Sequence, residues 1–300
     1  MSAFYWFETI DDPDALAESI RQSAELHGMQ GSVLVAAEGV NGTVAANRVG
    51  TDRIFAALSE DERFRGLNTK ESLSEFVPFK RLKVKVKPEI VTMRQPVDPT
   101  QRVGTYVEPG AWNAVVDDPD VLLIDTRNRD EIEVGTFTGA VDPGTASFTE
   151  FADYVDTLDP AEHPRVAMFC TGGIRCEKAS AYMLDQGFAE VLHLRGGILQ
   201  YLQDVPEEAS RWEGECFVFD DRVSVDHQLR PGSWILCRGC REPVSPDDQK
   251  DPRFEDGVAC PKCASGLAEE RRANLRERHR QELLARSRGE RHIGRRPSDR

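Results

Sequence analysis

The stretch Val166-Ala-Met-Phe-Cys170-Thr-Gly-Gly-Ile-Arg175-Cys176-Glu-Lys-Ala-Ser180 decides the reading of this chain. Its apolar start, Arg165–Phe169, reads as a strand buried on both faces of a parallel sheet. Two glycines then allow a tight turn, and a helix begins near Arg175. Backbone N–H groups from Thr171 onward can point inward at the Cys170 sulfur, and such a nest at a helix N-terminus favours negative charge. With Arg175 beside it, the arrangement is expected to lower the thiol pKa and hold a thiolate at neutral pH. Cys170 is therefore the candidate reactive residue. Arg175 is expected to hydrogen-bond the cradle or a bound anion. Thr171, Gly172, Gly173 and Ile174 form the loop, and Cys176 is expected to pack beneath it. A cradle with four residues between Cys170 and Arg175 suits a sulfur or a small oxygen species rather than a phosphate. The plain alternative is a buried structural cysteine at a strand end.

Outward from this loop, Val121–Asp125 and Val191–Leu194 read as further strands and Glu177–Gln186 as a helix. Their alternation predicts a doubly wound α/β domain over about 110–215, with its site at the C-terminal ends of the strands. Asp125 and Arg127 are expected to brace neighbouring loops. The first 95 residues read as β-α-β-β-α-β, which suits a ferredoxin-like α+β sandwich. Ala3–Ile10 is its first strand. Pro13–His27 is a helix capped by Asp12, with Pro13 where its missing N–H costs nothing. Gly31–Ala37 and Thr43–Ala46 flank a turn at Gly39-Asn41-Gly42. Thr51–Ser59 is a short helix, and Phe79–Val91 is the closing strand. Residues 94–109, with Pro96, Pro99, Gly104 and Pro109, read as a linker.

The closing strand and the stretch leading into it carry most of the lysines. Of eight in the chain, Lys70, Lys80, Lys83, Lys85 and Lys87 fall in one short stretch. Alternation places Lys83, Lys85 and Lys87 on one face, with Leu82, Val84 and Val86 toward the core. Such a row can track phosphates, with Lys80 and Arg81 beside it and Phe79 placed to stack on a base. Edge-strand protection by lysine is the other explanation.

Seven cysteines, an odd number, argue against a disulfide framework. Cys237-Arg-Gly-Cys240 and Cys260-Pro-Lys-Cys263 have the spacing of a closed structural metal site, with zinc the default ion. Residues 216–266 are thus expected to form a small zinc-ribbon-like module. Beyond it, 267–300 reads as a basic solvated helix or disordered tail, with disorder after Gly289. The net charge of −14 conceals this asymmetry, because residues 271–300 hold eleven Arg against four acidic residues. The acidity by itself identifies no partner. No apolar run reaches the ~20 residues needed to span a bilayer, and Met1–Asp14 lacks the pattern of a signal peptide, so a cytoplasmic protein is expected. There is no flavin or nicotinamide fingerprint and no evident catalytic metal cluster.

The central domain resembles rhodaneses through Asp125-Thr-Arg127, the Cys170 loop and Leu194-Arg-Gly-Gly197. A longer set is similar to the rhodanese-domain tRNA uridine hydroxylases. It comprises Asp125-Thr-Arg-Asn128, Val134-Gly-Thr-Phe137, Cys170 through Ser180, Gly196-Gly-Ile-Leu-Gln-Tyr-Leu202, Ala37-Glu-Gly-Val-Asn-Gly-Thr43 and Pro78-Phe-Lys-Arg-Leu-Lys-Val-Lys85. The resemblance covers residues 1–265, and the eleven-residue loop string is its most specific part. It implies oxygen-dependent 5-hydroxylation of the wobble uridine of tRNA, contact with the anticodon region, molecular oxygen as co-substrate, and Cys170 as the essential cysteine. Whether Cys170 acts as thiolate nucleophile, persulfide or oxidised sulfur stays open, as does the oligomeric state. Rhodanese-type sulfur transfer through a Cys170 persulfide is the competing activity, and a non-catalytic RNA-binding scaffold the third reading.

Overall fold

The computed structural model describes residues 1–67, 69–73 and 77–289. The disorder expected after Gly289 falls outside them. The N-terminal unit runs β1 (Ser2–Phe7), α1 (Pro13–Leu26), β2 (Gln30–Ala36), β3 (Gly39–Ala45), α2 (Arg48–Glu60), β4 (Thr69–Glu71) and β5 (Leu82–Val86). Asp12 Oδ1 accepts from Ala15 N at 2.9 Å with Pro13 opening α1, as the sequence predicts. The sheet order is β4-β1-β3-β2-β5. Its first four strands are the antiparallel ferredoxin-like arrangement.

Three local expectations change here. The fourth strand of the sandwich is β4, too short to announce itself in sequence. The lysine strand is instead a fifth, running parallel to β2 at the edge. It spans only Leu82–Val86, and Val86 is 40% exposed rather than core-facing. The hairpin between β2 and β3 turns at Ala37-Glu38, so Asn41 and Gly42 lie inside β3. Tertiary packing outweighs the local Asn-Gly preference. Gly42 sits beneath the Phe4 ring, and Asn41 Nδ2 donates to Ile90 O at 3.0 Å.

The central unit continues with β6 (Thr105–Val107), α3 (Pro109–Val116), β7 (Leu122–Asp125), α4 (Arg129–Ile132), β8 (Gly135–Phe137), α5 (Phe151–Val155), β9 (Arg165–Phe169), α6 (Ile174–Asp185), β10 (Glu190–Leu194) and α7 (Gly197–Asp204). Its parallel sheet has the order β6-β10-β9-β7. The segment read as a linker thus supplies an edge strand, β6. Strand alternation splits the core in two. Ile124, Val166 and Met168 pack under α5 and α6, while Leu123, Ala167 and Phe169 pack on the other side with Trp112 and Tyr201. Phe137 anchors that second layer, edge-on to Phe169, Tyr201 and Trp212 with ring centroids 4.7–5.1 Å apart. Each such pair adds about 1 kcal/mol beyond the area buried.

Short ribbons follow: β11 (Trp212–Gly214) against β8, the hairpin β12 (Cys216–Phe217) with β13 (Ser224–Val225), and β14 (Ile235–Leu236) with β15 (Pro243–Val244). Cys216 and Val225 belong to the α/β core. The chain ends in α8 (Glu269–Ser287), a helix with mostly solvated side chains. No described helix is long and apolar enough to cross a membrane.

The two larger units are joined through buried charge. Lys178 of α6 is 1% exposed, and its Nζ lies 2.8 Å from Glu38 and 2.6 Å from Glu89. Glu38 Oε1 also accepts from Ile90 N at 2.7 Å, and Glu89 accepts from Met93 N at 3.0 Å. The β2–β3 turn, the connecting chain and α6 thereby share one cation. Removing it leaves two carboxylates unpaired at a partly buried joint. Lys178→Met is expected to lower the unfolding free energy by about 3 kcal/mol in urea denaturation.

Candidate active site

Cys170 follows the last residue of β9 and is 2% exposed. Its Sγ accepts from Gly173 N at 3.1 Å. Gly173 reaches this position with φ +101°, which side-chain-bearing residues rarely adopt. Behind it, a Cβ on Gly197 would lie 2.5 Å from Cys170 O and 2.7 Å from Gly173 N. The Gly196-Gly197 turn therefore nests directly against the loop, where Ile198 N and Leu199 N donate to Cys170 O and Thr171 O at 3.0 and 3.1 Å. Burial alone would push the Cys170 thiol up. A hydrogen bond from Cys176, the Arg175 charge and the backbone N–H groups of Cys176 and Arg175 overcome it, and hold the pKa below its ordinary value of 9.0. Cys176 is fully buried beneath the loop, 3.7 Å from Thr126 Oγ1, and burial pushes its own thiol up. The thiolate of this pair belongs to Cys170.

Arg175 differs from expectation. Its guanidinium does not close over the cradle but is gripped by Glu131 of α4, at 2.8 and 3.1 Å. A buried carboxylate within reach is a stronger partner than a loop carbonyl. Glu131 in turn caps α4 by accepting from Asn128 N at 3.0 Å. Asp125 and Arg127 are a brace. Both are fully buried and paired at 2.6 and 2.9 Å, and Arg127 also donates to Glu131 O at 3.2 Å and to Gly135 O.

Several residues of the site were not singled out as site residues by the sequence. Lys70 of β4 places its ammonium on Gly172 O and Gly196 O. Glu177 is buried and receives hydrogen bonds from Tyr5 at 2.8 Å and Tyr106 at 2.7 Å. Desolvation raises its pKa, opposed by those two hydroxyls. Arg195 stacks on Tyr106, 4.1 Å from the ring centroid, and pairs with Glu108. Of these, Glu177 alone lies inside the loop string. Tyr106 and Arg195 come from β6 and the end of β10 in the same parallel sheet, whereas Tyr5 and Lys70 reach the site only when the two sheets meet.

Strand register explains the meeting. Tyr5, Asn41, Leu34 and Lys85 stand opposite one another across β1, β3, β2 and β5, and so share a face. Lys70, Ala3, Thr43, Ser32 and Lys83 form the next row. The other face, with Phe4, Val33 and Val35, belongs to the core shared with α1. The helix-free face is turned toward Cys170 and encloses a cavity of about 1010 Å³, lined by Tyr5, Asn41, Lys70, Cys170, Thr171 and Arg195 among others. Phe219 stands at its rim, 66% exposed, with Arg175 5.7 Å from its ring centroid.

The residues read as RNA contacts divide. Lys83 and Lys85 are exposed on the cavity-facing side of the sheet, beyond the cavity wall. Arg81 is exposed just before β5, and its carbonyl accepts from Gly31 N at 3.2 Å. Lys80 lies within the field of Glu282 on α8. Phe79 is half-buried and absent from the cavity lining, so Phe219 and not Phe79 is the aromatic at the opening.

Farther along, Cys237, Cys240, Cys260 and Cys263 bring all four Sγ atoms within 4.8 Å of one another. Three of the separations are 3.7, 3.6 and 3.8 Å. A tetrahedron with metal–thiolate arms of about 2.3 Å has edges of about 3.8 Å, so the set fits one ion. Each pair folds as a knuckle, with Arg241 N donating to Cys237 O and Ala264 N to Cys260 O.

Residues 1–90 match the UPF0176 acylphosphatase like domain and residues 109–204 the rhodanese-like domain. Among solved structures, the rhodanese-like domain from an Anabaena species is 18% identical over 37% of this chain and 80% of its own, with TM-score 0.30. A rhodanese-like domain protein from Staphylococcus aureus is 17% identical over 32% and 90%, with TM-score 0.28. The tRNA uridine(34) hydroxylase of Agrobacterium fabrum strain C58 is 50% identical over 298 residues, covering 98% of this chain and 95% of that one. With half of all positions shared across nearly the full length of both, the chain belongs to the tRNA uridine(34) hydroxylase family.

Proposed function

We propose that this protein is a tRNA-modifying oxidoreductase that hydroxylates the wobble uridine, position 34, at C5, with molecular oxygen as co-substrate and Cys170 as the reacting group. One oxygen atom enters C5, and an external two-electron donor with two protons takes the other to water. The observation that carries this reading is the low-pKa Cys170 at the wall of a cavity of about 1010 Å³, in a chain so similar to a uridine(34) hydroxylase. Enzymes that act on a base within RNA draw it out of its stack into a pocket, and this volume admits a nucleotide with part of its backbone. Uracil C5 is electron-rich once a nucleophile has added at C6, and a thiolate is suited to that addition. Loss of the C5 proton after oxygen transfer breaks the C6–S bond and returns the thiolate. Arg175 and the loop Thr171–Ile174 keep the sulfur charged. The anticodon region approaches over the helix-free sheet face, where Lys83 and Lys85, with Lys80 and Arg81 just before their strand, offer charge to the backbone, and Phe79 beside them offers a ring. Phe219 presents a face on which a base can stack.

The four cysteines of the C-terminal module would hold zinc as a structural ion. Four thiolates fill the coordination shell and leave no position for substrate. The protein works in the cytoplasm, where its thiols stay reduced.

Nucleoside mass spectrometry of tRNA from cells lacking the gene tests the main reading. Wild type is expected to restore 5-hydroxyuridine and its derivatives, and Cys170→Ser to restore none. Unchanged nucleosides in all strains would move the assignment to persulfide transfer. The double substitution Lys83→Gln/Lys85→Gln is expected to weaken tRNA binding and to reduce the slope of log affinity against log salt by about two. An unchanged slope would return the lysines to edge protection. Metal analysis is expected to find about one zinc per chain, lost in Cys260→Ser together with protease resistance of residues 235–265, while Cys170 keeps its alkylation rate.

A further inference from the structure

We infer that Lys70 is a positioning residue supplied by the N-terminal sheet to the cysteine loop: its ammonium ties the Gly172 and Gly196 carbonyls together and sets a positive charge beside the Cys170 sulfur. The inference rests on Cys170 being the reacting group. Lys70 arrives there by register, because pairing with Ala3 puts it on the helix-free face. Its Nζ donates to the two carbonyls that border the cradle, one from the Cys170 loop and one from the Gly196 turn. Its Nζ also lies over the Tyr5 ring, 5.9 Å from the centroid.

The charge matters because of what happens to Arg175. Both of its Nη atoms are taken by Glu131, so its field at the sulfur is partly cancelled. The hydrogen-bond acceptors of Lys70 are neutral carbonyls. Desolvation lowers the Lys70 pKa to about 8, and the charges of Cys170, Glu177 and Cys176 act in the opposite direction. The ammonium therefore stays charged at neutral pH, within Coulombic reach of the thiolate. The groups facing Cys170 are Arg175, Cys176 and Glu177 from α6, Cys216 from β12, Tyr5 from β1 and Lys70 from β4. Only Arg175 and Lys70 among them are cations, and among the described residues no carboxylate pairs with Lys70, whereas Arg175 is held by Glu131. Loss of its charge should therefore raise the pH at which Cys170 becomes a thiolate.

The test is the pH dependence of iodoacetamide alkylation at Cys170 in the full-length protein without tRNA, read by mass spectrometry of the Cys170 peptide. Lys70→Gln and Lys70→Met remove the charge, and Lys70→Arg retains it. Either neutral variant is expected to raise the alkylation midpoint by about one pH unit, a roughly tenfold slower reaction below the midpoint. Lys70→Arg is expected to keep the wild-type midpoint. A neutral variant with wild-type circular dichroism and an unmoved midpoint overturns the inference, as does a folded Lys70→Arg that shifts like the neutral pair. Absence of 5-hydroxyuridine formation by wild type would defeat the hydroxylase reading and leave this measurement standing, so the two failures are distinguishable.

Discussion

A thiol removed from water keeps its proton unless dipoles and charges are aimed at the sulfur, and Cys170 is 2% exposed. Meeting that constraint accounts for much of the surrounding architecture. The parallel sheet ends β9 at the sulfur, and the left-handed Gly173 turns its N–H back onto it. Helix α6 then starts with Arg175 and Cys176 close enough to hold the pKa down. The Gly196-Gly197 turn supports the loop from behind at a distance that admits no side chain. Arg175 stays in place because Glu131 holds it, and Glu131 stays because it caps α4 above the Asp125–Arg127 brace.

The same constraint gives the N-terminal domain a structural part in the site. Its sheet packs α1 and α2 on one face and turns the other toward Cys170, forming the cavity wall with Tyr5, Asn41 and Lys70. A wall built from another domain has to be held in register, and charged joints do so. Lys178 ties α6 to Glu38 and Glu89. On the far side Arg222 pairs with Asp220 at 2.7 Å and donates to Ser72 at 3.2 Å, while Asp221 N donates to Pro78 O. Partner removal at such joints costs several kcal/mol, which makes them specific as well as strong.

The hairpin that carries Phe219 is held with similar firmness. Val223 has φ +66°, a conformation that a β-branched residue adopts only under surrounding pressure. The residue is buried against Phe217 and Val134, and the hairpin closes around the Asp220–Arg222 pair. An exposed aromatic on a strained, braced support is held in place in advance, so a base stacking there, as proposed, would cost little ordering entropy.

Sequence by itself determined those features whose cause is local. The Cys170 loop was legible because a strand end, two glycines and a helix start are adjacent in the chain. The Asp12 cap, the three main parallel strands and the two C-x-x-C knuckles were legible for the same reason. Tertiary structure decided whatever depends on pairing between distant segments. Asn41-Gly42 lies within a strand because β1 and β2 flank it on both sides. Thr69–Glu71 and Thr105–Val107 become strands only because a sheet edge receives each of them. Glu131 claimed the Arg175 side chain, and the cavity is lined by Phe219 rather than by Phe79, the aromatic read as a base-stacking residue. Lys70, Tyr5 and Tyr106 reach Cys170 and Glu177 from 64 or more residues away in sequence, by strand register and domain packing. Local propensity acts over a few residues, whereas the electrostatic field at a buried sulfur sums over everything folded around it.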